Sequence, residues 1–348
     1  MIEIAQWFEK NRKIYPWRLN RTPYSTWVSE VMLQQTRAEV VIPYFERWMR
    51  RFSTVSLLSQ ASLEEVISLW EGLGYYSRAR NLLSGAKQVV EQFGGNLPNT
   101  FEPLLKIKGI GRYTAGAILS FGFNQRSAFV DGNIARVIAR VTVFEECIIK
   151  SQRKIEALVD EKLPVTNAPL IMEGLIELGQ TICKKKPRCE ICPIQQDCLA
   201  FHQGRQDELP LRLKKEQITP LQRQVAVIMC NGYTLLRKNG KGKIMADLWE
   251  FPFVECNEDS TIANLIAYFP LKLKLETIFP VVVHHFTRYK ATLTPYLFRT
   301  GQKKDLEGLQ WVSDEEIRRL PFSSGHRKIK DRLIDLSSSR LDVLAPLR

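Results

Sequence analysis

Leu104-Leu105-Lys106-Ile107-Lys108-Gly109-Ile110-Gly111-Arg112-Tyr113-Thr114 is the stretch on which the fold of this chain turns. Two glycines one residue apart permit a tight turn, and a helical pattern runs on from Thr114. Backbone N–H groups at the start of such a helix can meet a phosphate. A plain helix C-cap explains a lone Gly-x-Gly equally well, so the flanking sequence has to arbitrate. Upstream, Leu63, Val66, Ile67 and Trp70 recur at three- and four-residue spacing behind a cap signal at Ala61-Ser62. Leu82, Leu83, Ala86, Val89 and Val90 repeat the pattern until Gly94-Gly95 stops it. The first two hundred residues are therefore predicted to be helical.

The texture changes further on. A polar, charged stretch from Gln203 to Gln222, with Pro210 and Pro220, reads as a linker. Val225-Ala226-Val227-Ile228-Met229, then Asn231-Gly232, then Tyr233-Thr234-Leu235-Leu236 is a strand–turn–strand signal. Tyr289 to Phe298 also reads as extended, and Asp314 to Leu320 as a short helix. The 348 residues thus divide into a mostly α region over 1–205, a linker over 206–220 and an α+β domain over 221–345.

Composition narrows the partners. A formal charge of +13 and a pI near 9.4 favour a polyanion. No run of 18 apolar residues appears, so no membrane span is expected, and Met1 to Lys13 is too charged for a signal peptide. Seven cysteines, four of them between 183 and 198, suit a metal site in a reducing compartment better than a disulfide framework. A cytoplasmic location is expected.

Two carboxylates attract notice. Glu30 lies among Val28, Val31, Met32 and Leu33, where burial would raise its pKa and keep it protonated as an acid. Asp131 ends the apolar run Ala128-Phe129-Val130 and precedes Gly132. A carboxyl pair can split a glycosidic bond: one protonates the leaving group, the other stabilises the oxocarbenium-like centre. On spacing alone, capping or salt-bridged carboxylates are the stronger reading. The cysteines run Cys183-x5-Cys189-x2-Cys192-x5-Cys198, with Pro193 after the third. A zinc ribbon prefers two Cys-x2-Cys pairs; four thiolates also suit a [4Fe–4S] cluster, and spacing leaves both open.

Taken in order, Trp27-Val28-Ser29-Glu30-Val31-Met32-Leu33-Gln34-Gln35-Thr36, Trp70-Glu71-Gly72-Leu73-Gly74-Tyr75-Tyr76, the glycine hairpin, Val130-Asp131-Gly132-Asn133 and the four cysteines resemble the MutY family of adenine DNA glycosylases. The resemblance is dense from about residue 7 to 200 and looser beyond 221. It implies a helix-hairpin-helix catalytic region with an Fe–S loop, followed by a Nudix-like domain. It also implies a duplex carrying an A:8-oxoguanine or A:G mispair as substrate, and a [4Fe–4S] cluster on the four cysteines. By the same resemblance Glu30 protonates the adenine ring, Asp131 stabilises the sugar cation, and Asn133 places Glu30 and the water. Trp17, Arg18 and Glu173 would line the base pocket, while Gln35 and Tyr75 would wedge into the stack the base leaves. Gly109, Gly111 and Arg112 would contact the DNA backbone. Leu248-Trp249-Glu250-Phe251-Pro252 fits the Nudix fold, with no acidic run for metal-dependent pyrophosphatase activity.

The departures are specific. Lys108 stands where the family has Pro, and the first cysteine gap holds five residues instead of six. Phe286-Thr287-Arg288 replaces a lesion-reading Phe-Ser-His, so Thr287 and Arg288 are the expected lesion contacts. Tyr113 separates this chain from the relatives of endonuclease III, which carry a Schiff-base lysine there; a tyrosine removes the base and stops. An endonuclease III-like pyrimidine glycosylase with lyase activity is therefore disfavoured by Tyr113 and the second domain. A non-catalytic, metal-bearing DNA-binding protein would leave Glu30 and Asp131 without a task.

Overall fold

The computed structural model describes residues 1–211, 218–240, 245, 247–256, 261–286 and 288–343, with side chains as far as residue 336. Two compact units emerge, one of Met1–Val66 and Ser77–Lys214, the other of Ile67–Tyr76 and Lys215–Arg348.

The first unit is helical. In chain order the helices are α1 (Ile2–Asn11), α2 (Pro16–Leu19), α3 (Pro23–Leu33), α4 (Ala38–Arg51), α5 (Val55–Ser59), α6 (Leu63–Trp70, whose end lies in the second unit), α7 (Ser77–Phe93), α8 (Phe101–Leu105), α9 (Arg112–Ala117), α10 (Gly132–Val141), α11 (Gln152–Lys162), α12 (Ala168–Thr181) and α13 (Leu199–His202). α3 starts on a capping box, in which the Thr22 hydroxyl accepts from the Ser25 N–H and the Ser25 side chain answers at the Thr22 N–H. Pro23 at its first turn costs nothing there. Every residue from Tyr24 to Met32 is buried, so α3 is a core helix with no solvent face. α10 is the opposite kind: Ile134, Val137 and Ile138 face the core, opposite a polar stripe. Ile4 of α1 and Leu175 and Leu178 of α12 belong to the same packed interior as Phe129 and Ile134.

The helix-hairpin-helix expected around Gly109 is present as α8, a turn and α9. Gly109 has φ 86°, and a Cβ there would stand 2.7 Å from the Cβ of Asn81. Both the backbone angle and the close approach require glycine. α9 then runs into a π-helical turn over Ile118–Gly122, which the sequence does not announce.

The second unit is built on one mixed sheet of β1 (Thr219–Cys230), β2 (Tyr233–Lys238), β3 (Trp249–Glu250), β4 (Phe253–Cys256), β5 (Lys274–Ile278), β6 (Val282–Phe286), β7 (Tyr289–Arg299) and β8 (Gln310–Ser313), with α14 (Ile262–Ala267), α15 (Glu316–Arg319) and α16 (Ser324–Val343). β1 and β7 run parallel at its centre, and the other pairings are antiparallel. Side chains along β1 alternate as a strand must. Val225, Val227 and Met229 join the core that includes Ile329 and Leu333 of α16, while Ala226 and Ile228 join Leu265 of α14 and the adjacent Phe269. Asn231 and Gly232, both at positive φ, close the β1–β2 hairpin that the Asn-Gly pair predicts.

The structure draws the expected 1–205, 206–220 and 221–345 bounds differently. Leu209, inside the expected linker, is buried with Cys198 and Ala200, and β1 begins at Thr219. Polar composition hides this, because one buried leucine is enough to anchor the stretch. Ile67–Tyr76 groups with the second unit, where Glu71 pairs with Lys330 at 3.7 Å, a pairing with no local sequence signal.

Candidate active site

Residues of α2, α3, α9, α10 and α12 converge on a cleft of about 920 Å³ in the first unit. α3 delivers Glu30, only 7% exposed. α9 delivers Tyr113 from its first turn, and the phenol donates to Glu30 Oε2 at 2.6 Å. Burial pushes Glu30 up to about 7, helped by the negative charges of Glu173 and Asp131 and opposed by the Tyr113 hydrogen bond. Burial and the Glu30 charge also hold Tyr113 well above the ordinary phenol range, so it stays a donor. With Oε2 occupied by that donor, Oε1 is the oxygen left to carry the Glu30 proton.

Asp131 caps α10. Its Oδ1 accepts from the N–H groups of Asn133 (2.9 Å) and Ile134 (2.7 Å), and its Oδ2 from Asn133 Nδ2 (2.7 Å). Burial raises its pKa, and these hydrogen bonds work in the other direction. Asn133 is itself held: Arg136 Nη2 donates to Asn133 Oδ1 (2.9 Å) and to the Gly179 carbonyl (2.7 Å), while Arg136 Nε donates to the Cys183 carbonyl (2.7 Å). A Cβ at Gly179 would sit 2.6 Å from the Asn133 Cβ, so glycine there lets α12 approach α10.

The cleft wall opposite is charged. Arg18 donates from Nε to Glu173 (2.9 Å) and from Nη2 to Glu177 (3.1 Å), and Arg21 also pairs with Glu173. Glu173 and Glu177 are both buried, so these charge-assisted hydrogen bonds hold the arginines in place, while breaking one would strand a buried charge. Trp17 lies against Tyr15 at 4.8 Å between centroids, edge-on to Phe45, and lines the same cleft. Gln35 stands exposed on the rim at φ 57°.

The cluster residues assemble nearby in the chain. Cys183, Cys189, Cys192 and Cys198 line one small cavity, walled by apolar side chains such as Val137, Leu178, Ile182 and Phe201. Burial and the three neighbouring cysteines push the Cys192 thiol up to about 11. Arg140, 2% exposed, donates from Nη1 to Cys183 Sγ (3.1 Å) and the Lys184 carbonyl (2.7 Å). Among the described residues no three His, Cys, Asp or Glu side chains meet as ligands of one ion, and all seven cysteines are free.

The other expected site residues divide between the two units. Arg112, half exposed, is paired with Glu156 at 2.8 Å and stacked on Phe101. Tyr75 is 47% exposed at φ 50° and belongs to the second unit, as does Arg288, which donates to the Tyr289 hydroxyl. Thr287 lies outside the described residues. Sequence reasoning missed Arg21, Glu177, Arg136 and Arg140. The signal for the last two was available: arginines four apart on the polar stripe of α10 share one face.

Comparison with known proteins gives two matching families: the HhH-GPD superfamily of base excision DNA repair proteins over residues 28–164 and the NUDIX domain over 224–332. An adenine DNA glycosylase of Buchnera aphidicola subsp. Acyrthosiphon pisum is 31% identical over 332 residues, covering 94% of this chain and 89% of that protein. The adenine DNA glycosylase of Buchnera aphidicola subsp. Baizongia pistaciae is 35% identical over 259 residues, covering 73% and 74%. Among solved structures, a thermostable thymine-DNA glycosylase overlays 58% of this chain and 94% of its own at a TM-score of 0.54 and 24% identity, a likeness of fold.

Proposed function

The chain belongs to the adenine DNA glycosylases of the HhH-GPD superfamily, and we propose that it excises adenine mispaired with 8-oxoguanine or guanine, without cutting the strand. The observation that carries the chemistry is the Tyr113–Glu30 hydrogen bond on one side of a cleft that Asp131 also lines. The two carboxyls are set for different work. Burial pushes Glu30 up to about 7, so a substantial share of it holds its proton at neutrality, whereas Asp131 is supplied with three N–H donors that favour its anion.

The steps follow. Adenine leaves the stack and enters the cleft, where Trp17 offers a face for it and the Arg18–Glu173 pair offers polar groups to its edge. Glu30 gives its proton to a ring nitrogen, and the glycosidic bond breaks with its electron pair leaving on the base. The positive charge left on the sugar faces Asp131. Water adds to the sugar carbon and its proton returns to Glu30, with Asn133 helping to place both. Tyr113 offers no amine for an imine at the position it occupies, which favours hydrolysis that leaves the strand whole.

Gly109, Gly111 and Arg112, with Lys184, Lys185, Lys186 and Arg188, would meet the DNA backbone. The four cysteines fit a [4Fe–4S] cluster. They line one small apolar cavity, where such a cluster would sit. Bound there, a cluster would hold the basic loop in shape. The second unit, with Thr287 and Arg288, would read the base opposite adenine. We picture a monomer acting on chromosomal DNA in the cytoplasm; among the described residues no helix is long and apolar enough to cross a membrane.

Single-turnover release from duplexes with adenine opposite 8-oxoguanine, guanine, cytosine and thymine tests the reading. Fast release is expected for the first two. Equal rates for all four, or release of a pyrimidine instead, would overturn it.

A further inference from the structure

The helix that carries Glu30 ends without a glycine. α3 stops at Leu33, Gln34 turns away at φ −57° and ψ 114°, and Gln35 takes the left-handed conformation at φ 57°. For a residue with a Cβ that conformation costs about 1 kcal/mol or more, so the surroundings must enforce it. The last carbonyls of a helix also need partners from elsewhere. The Thr36 N–H takes the Leu33 carbonyl at 3.2 Å. Arg78 takes the others. Its Nη1 donates to the carbonyls of Val31 (2.8 Å), Met32 (2.8 Å) and Gln34 (2.6 Å), and its Nη2 to the Thr36 hydroxyl (3.2 Å), which in turn bonds the Gln34 carbonyl (3.3 Å).

Arg78 is 7% exposed and sits in the first turn of α7, where a cation opposes its own helix dipole. Its charge faces the negative end of α3 instead. All four of these acceptors lie between Val31 and Thr36, on both sides of Gln35, and Gln34, Gln35 and Thr36 form part of the cleft rim.

We propose that Arg78 is a positioning residue for base extrusion: by gripping the backbone on both sides of Gln35 it presents that side chain, already formed, at the mouth of the cleft. The inference rests on Gln35 being the residue that fills the vacated stack. Arg78 acts through Gln35 on the entry of the base and leaves proton transfer from Glu30 alone.

The test uses the full chain and a duplex with 2-aminopurine as the extruded base, followed by stopped-flow fluorescence, beside single-turnover adenine release. Arg78→Gln should slow the fluorescence rise and adenine release from a mispair by about tenfold or more, the scale of a misplaced contact group. Release from a bulged, unpaired adenine should stay within about threefold of wild type, with an unchanged pH midpoint, because extrusion is cheap there. Arg78→Lys keeps the charge and three donors and should recover part of the rate, which preserves the test should the glutamine variant unfold. Arg78→Gln should add little in a Gln35→Ala background. Equal slowing on paired and bulged adenine would overturn the proposal, as would wild-type extrusion by Arg78→Gln where Gln35→Ala is slow. Wild-type extrusion by Gln35→Ala would instead remove the reading of Gln35 on which it rests.

Discussion

Replacing Glu30 by Gln removes an acid while keeping the shape of the side chain, and it should cost activity while adding stability. The gap between the free carboxyl at 4.5 and Glu30 at about 7 is worth about 3 kcal/mol. The folded pKa is the higher one, so as pH rises the unfolded chain releases this proton first. The penalty is absent below about 4.5, grows between 4.5 and 7, and is complete above that window. Glutamine carries no such penalty. Glu30→Gln should therefore stabilise the protein by about 1 kcal/mol at pH 5.5 and about 3 kcal/mol at pH 8. The increase of about 2 kcal/mol corresponds to roughly 4–8 °C in the unfolding midpoint for a domain of this size. Single-turnover adenine release should meanwhile fall by at least ~10²-fold, the scale of one general acid. Melting curves at the two pH values and a quenched time course on one duplex are sufficient. A stability gain that is the same at pH 5.5 and pH 8 would refute the buried, proton-holding Glu30, and a near-normal rate would refute its role as the acid.

Tyr113→Phe removes the hydrogen bond that lowers the Glu30 pKa, so the falling limb of the rate against pH, set near 7 in the wild type, should move to higher pH; a limb that stays in place would contradict the pairing. Tyr113→Lys should introduce an adduct trappable with borohydride, since an amine would then stand where base removal exposes the sugar carbon. Asp131→Asn keeps a side chain able to cap α10, so the fold should survive within about 1 kcal/mol while adenine release is lost; comparable release would leave Asp131 a cap and nothing more. Purified protein should contain iron and sulfide near four each per chain by the four-thiolate rule, against the single zinc of a ribbon in metal analysis. Arg288→Ala with Thr287→Val should erode the preference for 8-oxoguanine over guanine by roughly 1–3 kcal/mol, the scale of one or two groove hydrogen bonds; an unchanged ratio of release rates would move lesion reading elsewhere.

What the sequence made legible followed its local patterns. Hydrophobic spacing located α6 and α7, and Asn231-Gly232 located a hairpin, because those signals are written within a few residues. Glu30 and Asp131 were visible as carboxylates beside apolar runs, but spacing alone favoured structural roles, and only the family motifs singled them out. Asp131 is in fact both: it caps α10 and lines the cleft. The partners of Arg18 were not readable as a set. Glu173 and Glu177 lie 155 and 159 residues away, and a pairing over that distance leaves no period in the sequence. Arg78, Arg136 and Arg140 look like surface charge in a strongly basic chain. Each instead points its guanidinium at backbone carbonyls, so the spacing of Arg136 and Arg140 shows a shared face of α10 but not what that face meets. The grouping of Ile67–Tyr76 with the second unit escaped because the Glu71–Lys330 pairing joins residues far apart in sequence.

The central claim is that the wild-type protein hydrolyses the adenine glycosidic bond and does nothing further to the strand. A duplex end-labelled on the adenine strand, with that adenine opposite 8-oxoguanine, tests it when incubated with the protein and divided into alkali-treated and untreated halves. Strand breaks at the adenine position only after alkali, with free adenine released in equal amount, is the predicted result. Breaks in the untreated half with a borohydride-trapped adduct, or no free adenine at all, would contradict it.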